Sequence, residues 1–268
     1  MIRIGFVDYY LDEWHATNYP AMFVPAAAAV GVECEVVGAL ATCERAPFDG
    51  GLTTDEWCEK TGIKRYDDIK ELAAACDAFI IFAPDSPEEH PALARMVLPF
   101  GKPTFIDKTF AEGESDAREM ITLAKEYGTP MYSTSSLRYA SEVEERRGAR
   151  RASVCGNYAH MKDYLVHTGE MVVTVLGTGI RAVECRKEGA TYHFEVEYTD
   201  DRRATVEMAP DMPFAIDGVT VESNFFGRQI ENILRFFAGE EPTVTESEML
   251  EVARFIDMAK CAMERAGE

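Results

Sequence analysis

The sequence is poor in basic residues: 27 Lys and Arg stand against 47 Asp and Glu in 268 residues, a formal charge of −20. A surface of that sign repels phosphate backbones and anionic headgroups. It excludes nucleic acid and membrane as electrostatic partners and leaves a small molecule or another protein. Long apolar runs are missing too. No segment approaches the ~18–20 unbroken apolar residues of a membrane span. Met1 leads through Ile2-Arg3-Ile4-Gly5 straight into a strand pattern, with no targeting segment, so a cytoplasmic location is expected. Cysteine occurs at positions 34, 43, 58, 76, 155, 185 and 261, but no pair has CxxC or CxxH spacing. That excludes a zinc framework; no metal is expected, and the thiols read as reduced, several of them in the core.

The chain is long enough for one large domain or two modest ones. Strand patterns at 2–7, 33–40, 77–83, 103–106 and 130–133 alternate with helical patterns at 14–23, 55–60, 66–76, 84–98 and 115–127. The run at 77–83 is almost wholly apolar, as expected of a strand covered on both faces. Alternation with crossover-length connections predicts an α/β fold, a doubly wound parallel sheet over residues 1–134. After Ser135 the texture changes. A charged run at 142–151 reads as a solvated helix or loop, and a helix is predicted at 163–177. Strands follow at 180–187, 191–198 and 204–208, with Asp200-Asp201 as a hairpin turn, and helices at 226–238 and 246–266 close the chain. Residues 135–268 thus read as a shortened α+β domain on an open-faced mixed or antiparallel sheet. Its open face calls for a cover, for which a second subunit is the candidate.

Three stretches hold chemistry. The segment 102–110 delivers Asp107 and Lys108 to the carboxyl end of a buried strand, where open parallel sheets bind ligands; a salt-bridged surface turn is the bland alternative. The first βα turn, Val7-Asp8-Tyr9-Tyr10-Leu11-Asp12-Glu13-Trp14-His15, has no glycine after Gly5, and Asp8, Tyr10 and Glu13 stand in the three places where a dinucleotide loop has glycines. A carboxylate about 5 Å from a phosphate costs roughly 1–3 kcal/mol. The acidic residue expected near the end of the second strand for a ribose hydroxyl is missing from Gly38-Ala39-Leu40-Ala41-Thr42, and no arginine there speaks for a 2′-phosphate. Finally, Asp163 and His167 are spaced i to i+4, which puts carboxylate and imidazole on one helical face; a general base and a structural pair both fit that spacing. His15, His90, His160 and His193 read as isolated surface or core residues.

In this order the features resemble the glucose-fructose oxidoreductase / inositol dehydrogenase / MocA (Gfo/Idh/MocA) family. The likeness lies in Ile2 to Val7, in Asp77 to Pro84 as the "DAVIIATP"-like strand, and in Gly101 to Ala111 as the "GKHVLVEKPLA" segment. It continues through Ser136-Leu137-Arg138-Tyr139-Ala140, similar to "SLRFAP", and Asp163 to His167 as a DxxxH motif. The resemblance implies a Rossmann-like first domain, a second domain whose sheet forms a homo-oligomer, and oxidation of a sugar or polyol hydroxyl by NAD or NADP. It implies Lys108, Asp163 and His167 as catalytic residues, Asp8, Tyr9, Tyr10, Pro84, Asp107 and Lys108 at the cofactor, and Arg138 and Tyr164 at the substrate. Two departures stand out: the family's EKP is Asp-Lys-Thr here, and the glycine-rich loop is acidic and aromatic. Beside the oxidoreductase stand a cofactor-free binding or scaffold protein and a non-redox lyase or isomerase.

Overall fold

A computed structural model describes residues 1–158 and 161–267, without the side chains of residues 161–163. His160 and the side chain of Asp163 therefore lie outside the described residues. Two compact units are present. The first comprises Met1–Ala111, Arg118–Ser133 and Gln229–Thr243; the second comprises Glu112–Ala117, Thr134–Arg228 and Val244–Glu268.

In the first unit the chain runs β1 (Ile2–Asp8), α1 (Trp14–Val30), β2 (Cys34–Ala41), α2 (Thr54–Thr61), α3 (Ile69–Ala75), β3 (Ala78–Ile81), α4 (His90–Val97), β4 (Thr104–Ile106), α5 (Glu114–Tyr127) and β5 (Met131–Ser133). The five strands are parallel, in the order β2-β1-β3-β4-β5. The sheet is Rossmann-like, with its direction of growth reversing at β1, so the ligand crevice of such a sheet opens at the carboxyl ends of β1 and β3. Residues His15, Tyr19, Phe23 and Ala26, spaced three or four apart, form the buried face of α1. Phe6 and Tyr19 meet Phe82 edge to face at 4.8 and 5.4 Å between centroids, which fixes α1 against the sheet. Gly5 serves packing: a Cβ there would stand 3.1 Å from Cys76 Sγ and 3.2 Å from Leu72.

In the second unit α6 (Ser141–Glu144), β6 (Arg151–Gly156), α7 (Met161–Leu176), β7 (Ile180–Glu188), β8 (Thr191–Tyr198), β9 (Arg203–Met208), β10 (Ala215–Ile216) and β11 (Val219–Thr220) precede α9 (Glu246–Ala266), while α8 (Phe225–Phe237) belongs from Gln229 onward to the first unit. Its sheet runs β11-β10-β6-β9-β8-β7, antiparallel except for the β6–β9 pair. One face packs with α7 and α9 around Val154, Phe194, Val196, Val206, Val172 and Phe255. The other presents Arg151, Ser153, Glu195, Glu197, Arg203 and Thr205 along a shallow groove. The face for which a second subunit was expected as cover carries charged and hydroxyl side chains, which water as well as a polar partner surface can satisfy. No described helix is long and apolar enough to cross a membrane.

Candidate functional site

In the first unit the residues assigned to the cofactor gather at the carboxyl edge of the sheet. Asp8 ends β1 and is buried. Pro84 follows β3 after Ala83, whose φ of 83° is left-handed. Asp107 and Lys108 follow β4, and Lys108 Nζ donates to the Pro84 carbonyl at 3.0 Å. The Lys108–Thr109 peptide is cis. Buried His90 ties the segment down, with Nε2 2.6 Å from the Phe82 carbonyl and Nδ1 2.9 Å from that of Thr109. Tyr9 and Tyr10 pack edge to face, and Tyr10 continues onto Phe48 of the loop after β2. That loop is fastened to the first turn by the Leu52 amide, which donates to Asp12 Oδ2 at 2.9 Å.

The electrostatics of this edge are unusual. Asp8 and Asp107 are 1% and 0% exposed, and Glu13 8%. Glu13 is the N-cap of α1: its carboxylate accepts from the His15 amide at 2.6 Å and from the Ala16 amide. His15, far from isolated, sets Nδ1 against Asp107 Oδ2 and stacks on Tyr19. Asp8 accepts from the Tyr9 amide at 2.7 Å. Asp8 Oδ2 and Asp107 Oδ1 are buried without a hydrogen-bond partner among the described residues. Burial, reinforced by Glu13, pushes the Asp8 carboxyl well above the usual carboxylate range. Burial likewise lifts Glu13 to about 7, against the pull of His15 and the helix amides. For the remaining pair burial opposes the charges and mutual attraction outweighs it, so that Asp107 lies low and His15 high. In the sequence Glu13 stands in a glycine place of a dinucleotide loop; in the structure it caps the helix.

The second unit holds the other candidate group. His167 Nδ1 lies 2.7 Å from Ser135 Oγ, and the ring is flanked by Tyr164 and Phe214 at 5.3 and 5.5 Å. Ser135 caps the turn leading to Arg138, accepting from the Leu137 amide, and its own amide donates to Glu170 Oε2 at 3.3 Å. Glu170 stands three residues after His167, on the same face of α7. Arg138, expected to touch substrate, is instead wholly buried, with Nε 2.5 Å from Glu170 Oε1 and Nη1 3.0 Å from Glu248 Oε1. Burial opposes its charge and the two carboxylates outweigh it, holding the guanidinium ionised. Among the described residues the structure shows a tie of His167 to Ser135, which is backed by Glu170, Arg138 and Glu248. Neither Ser135 nor Glu170 stood out in the sequence. Among the described residues no group of three or more His, Cys, Asp or Glu could hold a metal.

Residues 45–134 match a family model described as "Oxidoreductase family, NAD-binding Rossmann fold". A search of curated proteins gives no match. Among solved structures, UDP-N-acetylglucosamine 3-dehydrogenase GnnA from Acidithiobacillus ferrooxidans superposes with a TM-score of 0.76 at 12% identity, over 100% of this chain and 99% of that one. GenD2 from gentamicin A biosynthesis, in complex with NAD, gives 0.72 at 12%, over 100% and 94%. An oxidoreductase from Agrobacterium radiobacter, in complex with NAD+, L-tartaric acid and magnesium, gives 0.70 at 15%, over 100% and 96%. At such identities the likeness is one of fold. The family match begins after β2, so the first turn lies outside it. That turn does not fit a dinucleotide as the fold would hold one. A pyrophosphate needs the free amides of the first helix and no like charge beside them. Here a carboxylate of the chain holds those amides, with Asp8 buried close behind.

Proposed function

We propose that this chain, which has the two-unit fold of the Gfo/Idh/MocA oxidoreductases and their signature over residues 45–134, acts on a hydroxyl-bearing small molecule, a sugar or a polyol. The observation that supports it best is the tie of His167 to Ser135. In the tautomer whose Nδ1–H donates to the Ser135 hydroxyl, Nε2 is the basic nitrogen, able to accept a proton from a substrate hydroxyl and to return it. Lys108, half-buried at the end of β4, is assigned to orient the substrate oxygen and to favour its developing negative charge. Tyr164, against the His167 ring, is assigned a place in the substrate pocket. Arg138 is assigned to positioning, through Glu170 and Ser135. Self-association through the second-unit sheet would rest on Arg151, Arg203, Glu195 and Glu197, and would weaken with added salt.

Oxidation of the hydroxyl requires a hydride acceptor, NAD or NADP in the family. The Glu13 cap favours a second reading, in which the same Lys and His move a proton next to a carbonyl without a nucleotide. One experiment covers both. Sugars and polyols are offered with NAD+ or NADP+ while nicotinamide reduction is followed. The corresponding keto sugars are offered in D2O without nucleotide while loss of the C–H signal is followed by NMR. Lys108→Ala and His167→Ala should each lower the productive rate by about 10²–10⁴-fold with the fold intact. Unchanged rates in both variants would remove the assignment.

A further inference from the structure

We propose that Glu13 fills from within the place a dinucleotide pyrophosphate takes at the first helix of such a sheet, and so closes this place in the chain to NAD and NADP. The inference rests on the fold assigned above and not on the choice of reaction. Its first support is geometric. The Glu13 carboxylate takes the His15 and Ala16 amides, the donors at the α1 N-terminus that a phosphate would need, and it does so while buried. A second, independent support is the pair of unpartnered oxygens behind it, Asp8 Oδ2 and Asp107 Oδ1, each on a fully buried carboxyl. The groups facing Glu13 are Asp8 from β1, Tyr10 from the turn, His15 and Tyr19 from α1, and Asp107 from the end of β4. Only His15 among them carries positive charge, and Asp107 already holds it. Lys108 reaches the Pro84 carbonyl. A diphosphate entering here would displace a carboxylate from its amides without finding a cation to receive it. The turn is also fastened from outside, by Asp12 on the Leu52 amide and by Tyr10 on Phe48.

The test is calorimetric titration of the whole protein with NADH and with NADPH, near pH 8, on the native chain, on Glu13→Gln and on Glu13→Ala combined with Asp8→Asn. Circular dichroism melting checks that each form is folded, and Glu13→Gln keeps the size of the cap should the double variant fail to fold. The native chain is expected to show no saturation up to about 1 mM nucleotide. Glu13→Gln should bind measurably, and the double variant at least about tenfold tighter than the native chain, because its amides are free and both buried carboxyls beside them are gone. Micromolar binding by the native chain, with no gain in the variants, would overturn the proposal and leave the redox reading standing. Failure of every folded form to bind would also overturn it, since the carboxylates would then not be what closes the site, and would take the redox reading with it.

Discussion

Two groups of buried charge, one in each unit, are built on opposite rules. In the second unit the signs alternate: Arg138 stands between Glu170 and Glu248, and each carboxylate meets a guanidinium nitrogen. In the first unit Asp8, Glu13 and Asp107 share a single imidazole, His15, and two carboxylate oxygens face no donor among the described residues. Alternating charge can be buried ionised, because mutual attraction offsets the loss of hydration. Like charge crowded into a buried place takes up protons instead: loss of hydration first, and the neighbouring carboxylates second, hold Asp8 and Glu13 high. The first arrangement fixes a geometry. The second stores a dependence on pH, at the edge of the sheet where ligands of this fold bind.

The contrast breaks most visibly at Arg138. Arg138→Met strands Glu170, 3% exposed, without its counter-charge, and should lower the free energy of unfolding by about 3–5 kcal/mol in urea titration. Adding Glu170→Gln should recover part of that loss. A single variant within about 1 kcal/mol of the native chain would mean that the ion pairs do not hold the second unit's core together.

Glu13 should behave in the opposite sense. Its folded-state pKa, about 7, lies above the ordinary carboxylate value of 4.5, so its contribution to stability is complete below 4.5 and is lost as pH rises through 7. Asp8, also raised, and His15, raised by Asp107, act with the same sign. Asp107, lowered, opposes them only in acid, below the usual carboxylate range. The chain should therefore lose on the order of 2–3 kcal/mol between about pH 5 and pH 8, and Glu13→Gln should flatten much of that slope. Melting temperatures at several pH values check it. A flat native profile with an unchanged variant would show that the first unit's acids are screened or paired after all.

Legibility in the sequence follows the same divide between local and distant signals. The first-unit strands were readable because their patterns are local, as in the fully buried Ala78–Ile81 of β3. β6 was not: Arg151–Gly156 is short, follows a charged run, turns only Ala152, Val154 and Gly156 fully inward, and pairs in parallel with β9 some fifty residues later. The β10–β11 hairpin has two residues per strand and no periodicity to find. Lys108 and the anomaly of the first turn could be seen because each is a departure from, or a match to, a local pattern. Glu13 as a cap could not, since Ser, Thr, Asp and Asn are the usual caps and a Glu in that role depends on the turn's geometry. His15 looked isolated because its partner Asp107 is 92 residues away. Ser135 and Glu170 were silent for the same reason, standing 32 residues from the groups they hold, His167 and Arg138.

The smallest predicted effect is the one that asks whether order in the second unit reaches the chemistry. Ser135→Ala removes one hydrogen bond to His167 Nδ1, made at 2.7 Å, and also the hydroxyl that accepts from the Leu137 amide at 3.3 Å. A net hydrogen bond of this kind contributes about 0.5–1.5 kcal/mol, so stability should fall by about that amount. If the hydroxyl fixes the tautomer that leaves Nε2 basic, kcat should fall by about tenfold with KM little changed, and the acidic limb of the pH profile, which a general base sets, should move. Ser135→Thr, which keeps the hydroxyl, should restore both. A variant that loses stability but keeps its rate and pH profile would make Ser135 a cap and nothing more, and His167 would then take its orientation from the Tyr164 and Phe214 rings. The alternating charges of Glu170, Arg138 and Glu248 would in that case order the turn without ordering the imidazole, and the two buried groups would differ in how they titrate but not in what they do for the site.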